Sequence, residues 1–329
     1  MKIKTKQLRD IFSKLKVGVS QKDIVEQATH ITFDGEHAFT FNGNIYVFYP
    51  LPTDFKCCVP AKEFMKIVSE ISQEEIEITF TEDGGLKLLG KGIKAKLKTI
   101  EMDKEFTIDK SPKMSKLPVD FKEAISLCAF SASQDVSTHL NGIYVNHNEV
   151  YGSDDYRISL YSMQSELKHT FLLPLSSVLS LKDFDIVEYA IEGSWIYFRD
   201  PDKSIFCSRL LDEKLYKDPS EFFEFEGVRV RFPSETKDLV SRASILAKGD
   251  FDIDKKISVT IQDGKLTCAG SNDLGDIETY VNIKSNKTIE FVINPQFFYQ
   301  ILEETSFGIV GEDRILFKTD NFKHLMSLH

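Results

Sequence analysis

Residues 117–128 read LPVDFKEAISLC, and this stretch contains the pattern on which the fold prediction rests. Its apolar side chains recur at the spacing of one face of an α-helix, at Phe121, Ala124, Ile125 and Cys128. A proline stands just before them. Proline in the first turn of a helix loses no hydrogen bond and presets φ, so it marks a helix start. The stretch therefore predicts an amphipathic helix over residues 118–128.

The same combination of a helix start and an apolar stripe returns along the whole chain. Five of six such segments begin just after a proline, at Pro60, Pro118, Pro174, Pro233 and Pro295. Alternate members are 114 residues apart from Pro60 to Pro174, 121 from Pro174 to Pro295, and 115 from Pro118 to Pro233. A period of this length is that of a whole domain rather than of a solenoid unit. We therefore expect three repeated domains, at residues 1–112, 113–226 and 227–329.

The six predicted helices come in pairs, two to a repeat. They cover residues 5–16, 60–71, 118–128, 174–184, 233–247 and 295–305. Besides the stripe of residues 117–128, their predicted buried faces are Leu8, Ile11, Phe12 and Leu15; Phe64, Ile67, Val68 and Ile71; Leu175, Val178 and Leu179; Leu239, Val240, Ala243 and Leu246; and Phe298, Ile301 and Leu302.

Between the helices the apolar period changes from helical to two. Ile76, Ile78 and Phe80 alternate with polar residues, and turn dipeptides such as Asp263-Gly264 separate the runs. This pattern predicts antiparallel strands, and a repeat with two helices buries its sheet most simply by packing both on one face. The expected fold class is α+β.

Composition narrows the class of protein. The 329 residues carry 51 acidic and 41 basic side chains, a net charge of −10 that argues against a broad phosphate-binding surface. Any contact with nucleic acid must therefore be local. No apolar run is long enough for a membrane span, and the N-terminus lacks the apolar core of a secretory signal. Five cysteines without a CxxC pair indicate reduced thiols, so we expect a cytoplasmic protein without membrane contact.

A closed ring of such helix pairs has a predictable size. Helices packed about 9 Å apart make a circle of about 34 Å diameter from twelve helices, leaving a hole of about 23 Å after one helix diameter is subtracted. A duplex passes through that hole, whereas six helices would leave only about 6 Å. If the chain encloses DNA, the smallest solution is a head-to-tail dimer with the helices lining the ring.

Several segments resemble one known family. Residues 121–163, FKEAISLCAFSASQDVSTHLNGIYVNHNEVYGSDDYRISLYSM, resemble the middle domain of the bacterial-type DNA sliding clamp, the β subunit of the replicative polymerase. Residues 204–218, 293–302 and 324–329 are similar to later segments of that family, in the same order. The chain is shorter than typical members, which suggests a viral or divergent relative. The resemblance implies a DNA polymerase processivity factor that encircles double-stranded DNA without sequence preference and is not an enzyme.

Candidate DNA contacts come from two sources. The first predicted helix is the most basic, and its DNA-facing candidates are Lys6, Arg9, Lys14 and Lys16. The resemblance adds two loop residues, Lys22 and Gln134. A second basic run places Lys94, Lys96 and Lys98 on one face of a strand, where a solvated face is the favoured interpretation.

The resemblance also implies a hydrophobic cleft that binds short linear peptides of the replicative polymerase and the clamp loader. Carried over by position, its residues are Leu140, Ser153, Asp155, Tyr156, Arg157, Ile158, Tyr216, Leu325, Met326, Ser327 and Leu328. Apolar residues form the pocket, Arg157 offers donors to a peptide carbonyl or carboxylate, and Met326 adapts to different anchors. Ser327 and His329 replace a proline and an arginine of the family pattern, which alters the expected peptide preference.

The sequence contains no recognisable catalytic motif. The seven histidines form no HxxxH or HExxH motif, and neither a GxSxG motif nor a complete phosphate loop is present, so we expect no cofactor and no metal. The alternative to a clamp is a three-domain, β-rich binding or viral structural protein that does not encircle DNA.

Overall fold

The computed structural model describes residues 1–22, 27–102, 112–224 and 226–329. These residues form six α-helices: α1 (Thr5–Leu15), α2 (Ala61–Glu70), α3 (Phe121–Ala129), α4 (Leu175–Ser180), α5 (Thr236–Ala243) and α6 (Pro295–Glu304). All six lie where the apolar stripes predict them. No helix in the described ranges combines the length and apolar character needed to cross a membrane.

The described residues also form 24 strands. The first twelve are β1 (Lys2–Lys4), β2 (His30–Phe33), β3 (His37–Phe41), β4 (Ile45–Pro50), β5 (Cys57–Pro60), β6 (Glu75–Thr81), β7 (Gly85–Gly90), β8 (Ile93–Lys98), β9 (Ser115–Lys116), β10 (Gly142–Asn146), β11 (Glu149–Ser153) and β12 (Arg157–Ser162). The others are β13 (Phe171–Pro174), β14 (Glu188–Glu192), β15 (Trp195–Arg199), β16 (Ile205–Arg209), β17 (Val228–Arg231), β18 (Ile257–Gln262), β19 (Lys265–Asn272), β20 (Gly275–Asn282), β21 (Ile289–Ile293), β22 (Phe307–Val310), β23 (Arg314–Lys318) and β24 (Phe322–Ser327).

The chain divides into two compact units. Unit 1 contains residues 1–122 and 167–212, and unit 2 contains residues 123–166 and 213–329. This division differs from the predicted repeat boundaries because strands from successive repeats pair within one sheet. In unit 1, for example, β4 pairs with β16, which lies in the second predicted repeat.

Unit 1 contains two antiparallel sheets. One has the strand order β5-β2-β3-β4-β16-β15-β14-β9, and the other has the order β1-β6-β7-β8. Helices α1 and α2 pack together through Phe12 and Phe64, whose ring centroids are 4.9 Å apart. Both rings are buried, as the apolar stripes predict.

Unit 2 repeats this arrangement. Its strands run in the order β10-β11-β12-β24-β23-β22-β17 in one sheet and β20-β19-β18-β21 in the other. Helix α6 begins as the sequence predicts, with Pro295 in its first turn. The Asn294 side chain caps the helix by accepting hydrogen bonds from the backbone N–H groups of Gln296 (2.9 Å) and Phe297 (3.1 Å). The expectation of antiparallel sheets with helix pairs is confirmed in each unit.

Four predicted stripe positions do not join the core. Ile67, Leu246 and Leu302 are only partly buried, and Leu179 is 56% exposed. Helix α4 is short, and it presents Leu175 and Val178 to the core, so Leu179 points away. All five cysteines are buried, and none of them forms a disulfide bond.

Candidate functional site

A cleft of about 440 Å³ opens in unit 2 where β12 meets β24. The two strands are antiparallel, with Arg157 opposite Met326 and Ile158 opposite Leu325. Successive side chains of a strand point to opposite faces, so this register decides which residues reach the cleft. Ile158 and Leu325 share the cleft face, whereas Arg157 and Met326 share the other.

The turn before β12 forms one wall of the cleft. The Asp154 carboxylate accepts hydrogen bonds from the backbone N–H groups of Tyr156 (3.2 Å) and Arg157 (3.1 Å). Asp155 follows it with a φ of 72°, a left-handed conformation that aspartate tolerates better than most residues. Ser153 closes the turn by donating its hydroxyl to the carbonyl of Arg157 at 3.0 Å. The turn leaves the Tyr156 side chain 39% exposed beside the cleft.

The guanidinium of Arg157 is directed toward the helices of unit 2. Its Nε donates to Asp154 at 2.9 Å and its Nη1 donates to the Gln300 side chain at 2.6 Å. The guanidinium carbon also lies 3.8 Å from the ring centroid of Phe297. Burial lowers the pKa of Arg157 and raises the pKa of Asp154, and the attraction between the two charges opposes both shifts. These contacts occupy Nε and Nη1, so Nη2 is the guanidinium nitrogen left to donate to a peptide, and that role of Arg157 stays a prediction.

Aromatic residues form the opposite wall. Tyr216 is 7% exposed and stacks on Tyr144, with ring centroids 4.8 Å apart, while His139 approaches it edge-on at 6.3 Å. Burial raises the pKa of the Tyr216 hydroxyl. Phe222 also lines the cleft, and 52% of it is exposed.

The structure brings most of the predicted cleft residues together. The lining includes Leu140, Ser153, Asp155, Tyr156, Arg157, Ile158, Tyr216, Leu325 and Ser327. Met326 is 1% exposed, because strand alternation turns it away, and Leu328 is partly buried outside the lining. Sequence reasoning missed six lining residues, namely His139, Lys217, Pro219, Phe222, Asp313 and Arg314. Alternation along β12 could have separated Arg157 from Ile158, but no local pattern signalled the six.

Some of the predicted DNA contacts have exposed side chains, and others already bind groups within the chain. Lys6, Lys16, Lys22 and Gln134 have exposed side chains. Lys14 is already paired, because its ammonium lies 2.7 Å from carboxylate oxygens of both Asp200 and Asp202, and its side chain is only 16% exposed. Arg9 also binds within the chain, since its Nη2 donates hydrogen bonds to the carbonyls of Ser69 (2.9 Å) and Ile71 (2.6 Å) at the end of α2. The charge of Lys14 is therefore balanced within the chain, whereas Arg9 is exposed and keeps its positive charge; the assignment of both as DNA contacts stays a prediction.

Comparisons with known proteins agree on the fold. A putative DNA polymerase III β subunit from Eubacterium rectale has a TM-score of 0.84 and 17% identity, with 100% of this chain and 98% of that chain covered. The DnaN sliding clamp from Pseudomonas aeruginosa bound to griselimycin has a TM-score of 0.87 and 16% identity over the same shares. This chain has the fold of the bacterial DNA sliding clamp.

The clamp fold extends over the whole chain. The β chain of DNA polymerase III from Streptococcus pneumoniae also covers 100% of it, with 98% of that chain, a TM-score of 0.86 and 16% identity. No protein-family model and no curated protein matches the sequence.

Proposed function

We propose that this protein is a DNA polymerase processivity factor, a sliding clamp that encircles duplex DNA as a head-to-tail homodimer. The observation that carries the proposal is the clamp fold along the entire chain, from Met1 to His329. A clamp requires a closed ring and a site for its partners rather than a reactive group. The edge strands and the unit 2 cleft provide support for each requirement.

Two edge strands support ring closure. Among the described residues, β8 pairs only with β7 and β20 pairs only with β19, so each leaves one edge open. Open edges are templates for pairing with another chain. The exposed face of β8 carries Lys94, Lys96 and Lys98, and the exposed face of β20 carries Asp276 and Glu278. We propose that β8 of one copy pairs with β20 of the next, because their charges are opposite.

The two charged rows lie on matching faces of their sheets. Opposite residues in paired strands share a face, and Leu97 of β8 lies opposite the buried Leu86. In β20, Thr279 lies opposite the buried Cys268. The lysines of β8 alternate with Leu97, and the carboxylates of β20 alternate with Thr279. Each charged row therefore lies on the face of its sheet that points away from the buried core. A continuous sheet across two copies would therefore place both rows on one face.

The unit 2 cleft is the proposed partner site. Its lining combines apolar anchors such as Ile158, Leu325 and Phe222 with polar groups at the rim, which fits a short linear peptide. We propose that segments of the replicative polymerase and of the clamp loader bind there. Their anchors would be apolar side chains, and Ser327 would shape the end of the cleft at β24.

Topological retention tests the ring. Dimers dissociated by dilution are reassembled with nicked circular DNA, and retained protein is measured before and after the circle is cut. We expect retention on the circle and rapid loss after linearisation. Equal binding to both forms, or to neither, would favour the alternative of a β-rich binding protein that does not encircle DNA.

Peptide binding tests the cleft separately. The substitution Phe222→Ala removes an exposed ring from the lining, and Phe251→Ala removes a similarly exposed ring of unit 2 that lies outside it. Both are surface changes with small expected effects on stability. We expect polymerase-derived peptides to bind about tenfold more weakly to Phe222→Ala and unchanged to Phe251→Ala, as measured by fluorescence anisotropy. Equal affinities for the two variants would exclude this cleft as the binding site.

A further inference from the structure

The segment of residues 213–224 forms one wall of the unit 2 cleft and is acidic. Four of its residues line the cleft, namely Tyr216, Lys217, Pro219 and Phe222. The same segment carries four carboxylates against two lysines, a net charge of −2. The carboxylates belong to Glu213, Asp218, Glu221 and Glu224. We call residues 213–224 the acidic segment.

The burial of Phe223 fixes how the acidic segment presents its charges. The Phe223 side chain is only 7% exposed, and the Lys323 ammonium lies 5.9 Å from its ring centroid. The neighbouring residues Glu221, Phe222 and Glu224 are exposed instead. The segment therefore holds two carboxylates at the surface next to an aromatic ring that lines the cleft.

The carboxylates of the acidic segment lack cations of their own. Within the described residues, Glu221 and Glu224 form neither a salt bridge nor a side-chain hydrogen bond. The Asp218 carboxylate accepts a hydrogen bond from the backbone N–H of Ser220 at 2.9 Å, which leaves its charge in place. Burial raises the pKa of Tyr144, and the negative charge of Asp218 raises it further. The field of the segment thus reaches the aromatic wall of the cleft.

The basic residues that line the cleft do not compensate this charge. Arg157 pairs with Asp154 at 2.9 Å, and Arg314 pairs with Asp313 at 2.8 Å. Both guanidinium groups are therefore matched by carboxylates outside the acidic segment. Lys217 is the third basic residue of the lining, and it offsets only one of the four negative charges.

An exposed aromatic ring stands next to an unpaired carboxylate on each side of the cleft. On the acidic segment these groups are Phe222 and Glu221, and on the turn before β12 they are Tyr156 and Asp155. In the part of the chain that the structure describes, Asp155 also forms no salt bridge. A lysine or arginine side chain gains from both groups, because the ring face attracts a cation and the carboxylate pairs with it.

We propose that the cleft selects peptides that carry lysine or arginine beside their apolar anchors. The apolar side chains fill the lining, and the basic residues contact the acidic segment. The net charge of −10 of the whole chain acts in the same direction, because it attracts basic segments before they bind. This inference rests on the proposed function, and it adds the charge of the partner segment.

Fluorescence anisotropy with the intact protein tests the charge preference. Three versions of one polymerase-derived peptide keep its apolar anchors and carry two lysines, two alanines or two glutamates beside them. Two exposed ion pairs change an affinity by about fivefold, so the lysine version should bind about fivefold more tightly than the alanine version. The glutamate version should bind more weakly than either, and the differences should shrink as salt is raised. Equal affinities of the three versions would overturn the inference.

Reversing the charge of the acidic segment should reverse the preference. The variant Glu221→Lys with Glu224→Lys leaves two carboxylates against four lysines, a net charge of +2. It should bind the glutamate version more tightly than the lysine version. The matched control, Glu304→Lys with Asp320→Lys, reverses two exposed carboxylates of unit 2 outside the cleft and should keep the wild-type order. The same order in both variants, whether reversed or unchanged, contradicts a role of the acidic segment.

The outcomes separate this inference from the proposed function. If the three versions bind equally to the wild type and all bind more weakly to Phe222→Ala, the cleft stands as the partner site and the charge preference is excluded. If no version binds, or if Phe222→Ala changes nothing, the partner site fails and this inference fails with it. Retention on nicked circles does not use the cleft, so it tests the clamp independently.

Discussion

Reversing charges on the open edges should weaken the dimer, and combining the reversals should restore it. The first variant is Lys94→Glu with Lys98→Glu, which leaves Lys96 in its salt bridge with Asp83. The second is Asp276→Lys with Glu278→Lys. Each variant places like charges where the proposed pairing requires opposite ones. In a mixed dimer, one interface pairs the two reversed strands and the other pairs the two unchanged strands, so both interfaces again have opposite charges.

The expected magnitude follows from the number of pairs. An opposite-charge pair across neighbouring strands contributes about 0.5 kcal/mol, and a like-charge pair costs a similar amount. The two carboxylates of β20 allow two pairs at each of the two interfaces of a closed dimer, so reversal changes the dimerisation free energy by about 4 kcal/mol. This corresponds to a dissociation constant about 1,000-fold weaker. Both rows are solvent-exposed in the single chain, so the effect should shrink as salt is raised.

Sedimentation equilibrium of each variant, and of the mixture, measures the effect. Each variant alone should be more monomeric than the wild type, and the mixture should form heterodimers close to wild-type affinity. The control reverses Lys168 and Lys318, which lie outside both edges, and should dimerise normally. The edge-pairing model is refuted if the mixture dimerises no better than its components.

Three further predictions concern stability and are measured by denaturant unfolding. In Gly152→Ala the new Cβ would lie 2.1 Å from the Cys128 carbonyl oxygen, so we expect a loss of about 1–3 kcal/mol, and an unchanged midpoint would contradict the close approach. Lys14→Met leaves the buried Asp200 without its ion-pair partner, so we expect the free energy of unfolding to fall by about 1–3 kcal/mol. Lys6→Met, at an exposed position, should change it little, and equal losses in the two variants would contradict the reasoning. Burial lowers the pKa of His324 well below 6.5, so its neutral form stabilises the fold at higher pH and stability should fall as pH drops below about 6.5. His324→Asn should flatten that dependence, and an unchanged pH profile would assign it to other groups.

Local sequence patterns were sufficient to predict the helices and a few of the strands. Helix α1 was expected over residues 5–16 and spans Thr5–Leu15, and its four apolar stripe residues are all buried. The alternation around Ile76 became β6, and that around Lys96 became β8 with its lysines exposed. These predictions succeeded because helical and strand periods depend on residues a few positions apart. The three-domain boundaries stay a prediction.

The contacts that sequence patterns did not predict involve partners distant in sequence. Lys14 appeared to belong to a basic helix face, but its partner Asp200 is 186 residues away. Arg9 appeared equally free, although it hydrogen bonds to carbonyls about 60 residues further along. A charge pattern shows that a side chain is basic without showing which buried acceptors will surround it.

The amino-acid sequence by itself determined the positions of the helices and the row of lysines on β8, because each depends on residue type and short-range periodicity. The tertiary structure decided which charged groups remain available and which faces line the cleft. Ile158 presents its side chain to the cleft, whereas the guanidinium of Arg157 is directed toward α6, because the pairing of β12 with β24 sets one register over a separation of more than 160 residues. Only the folded chain brings such distant strands together, and their register then assigns every side chain to one face or the other.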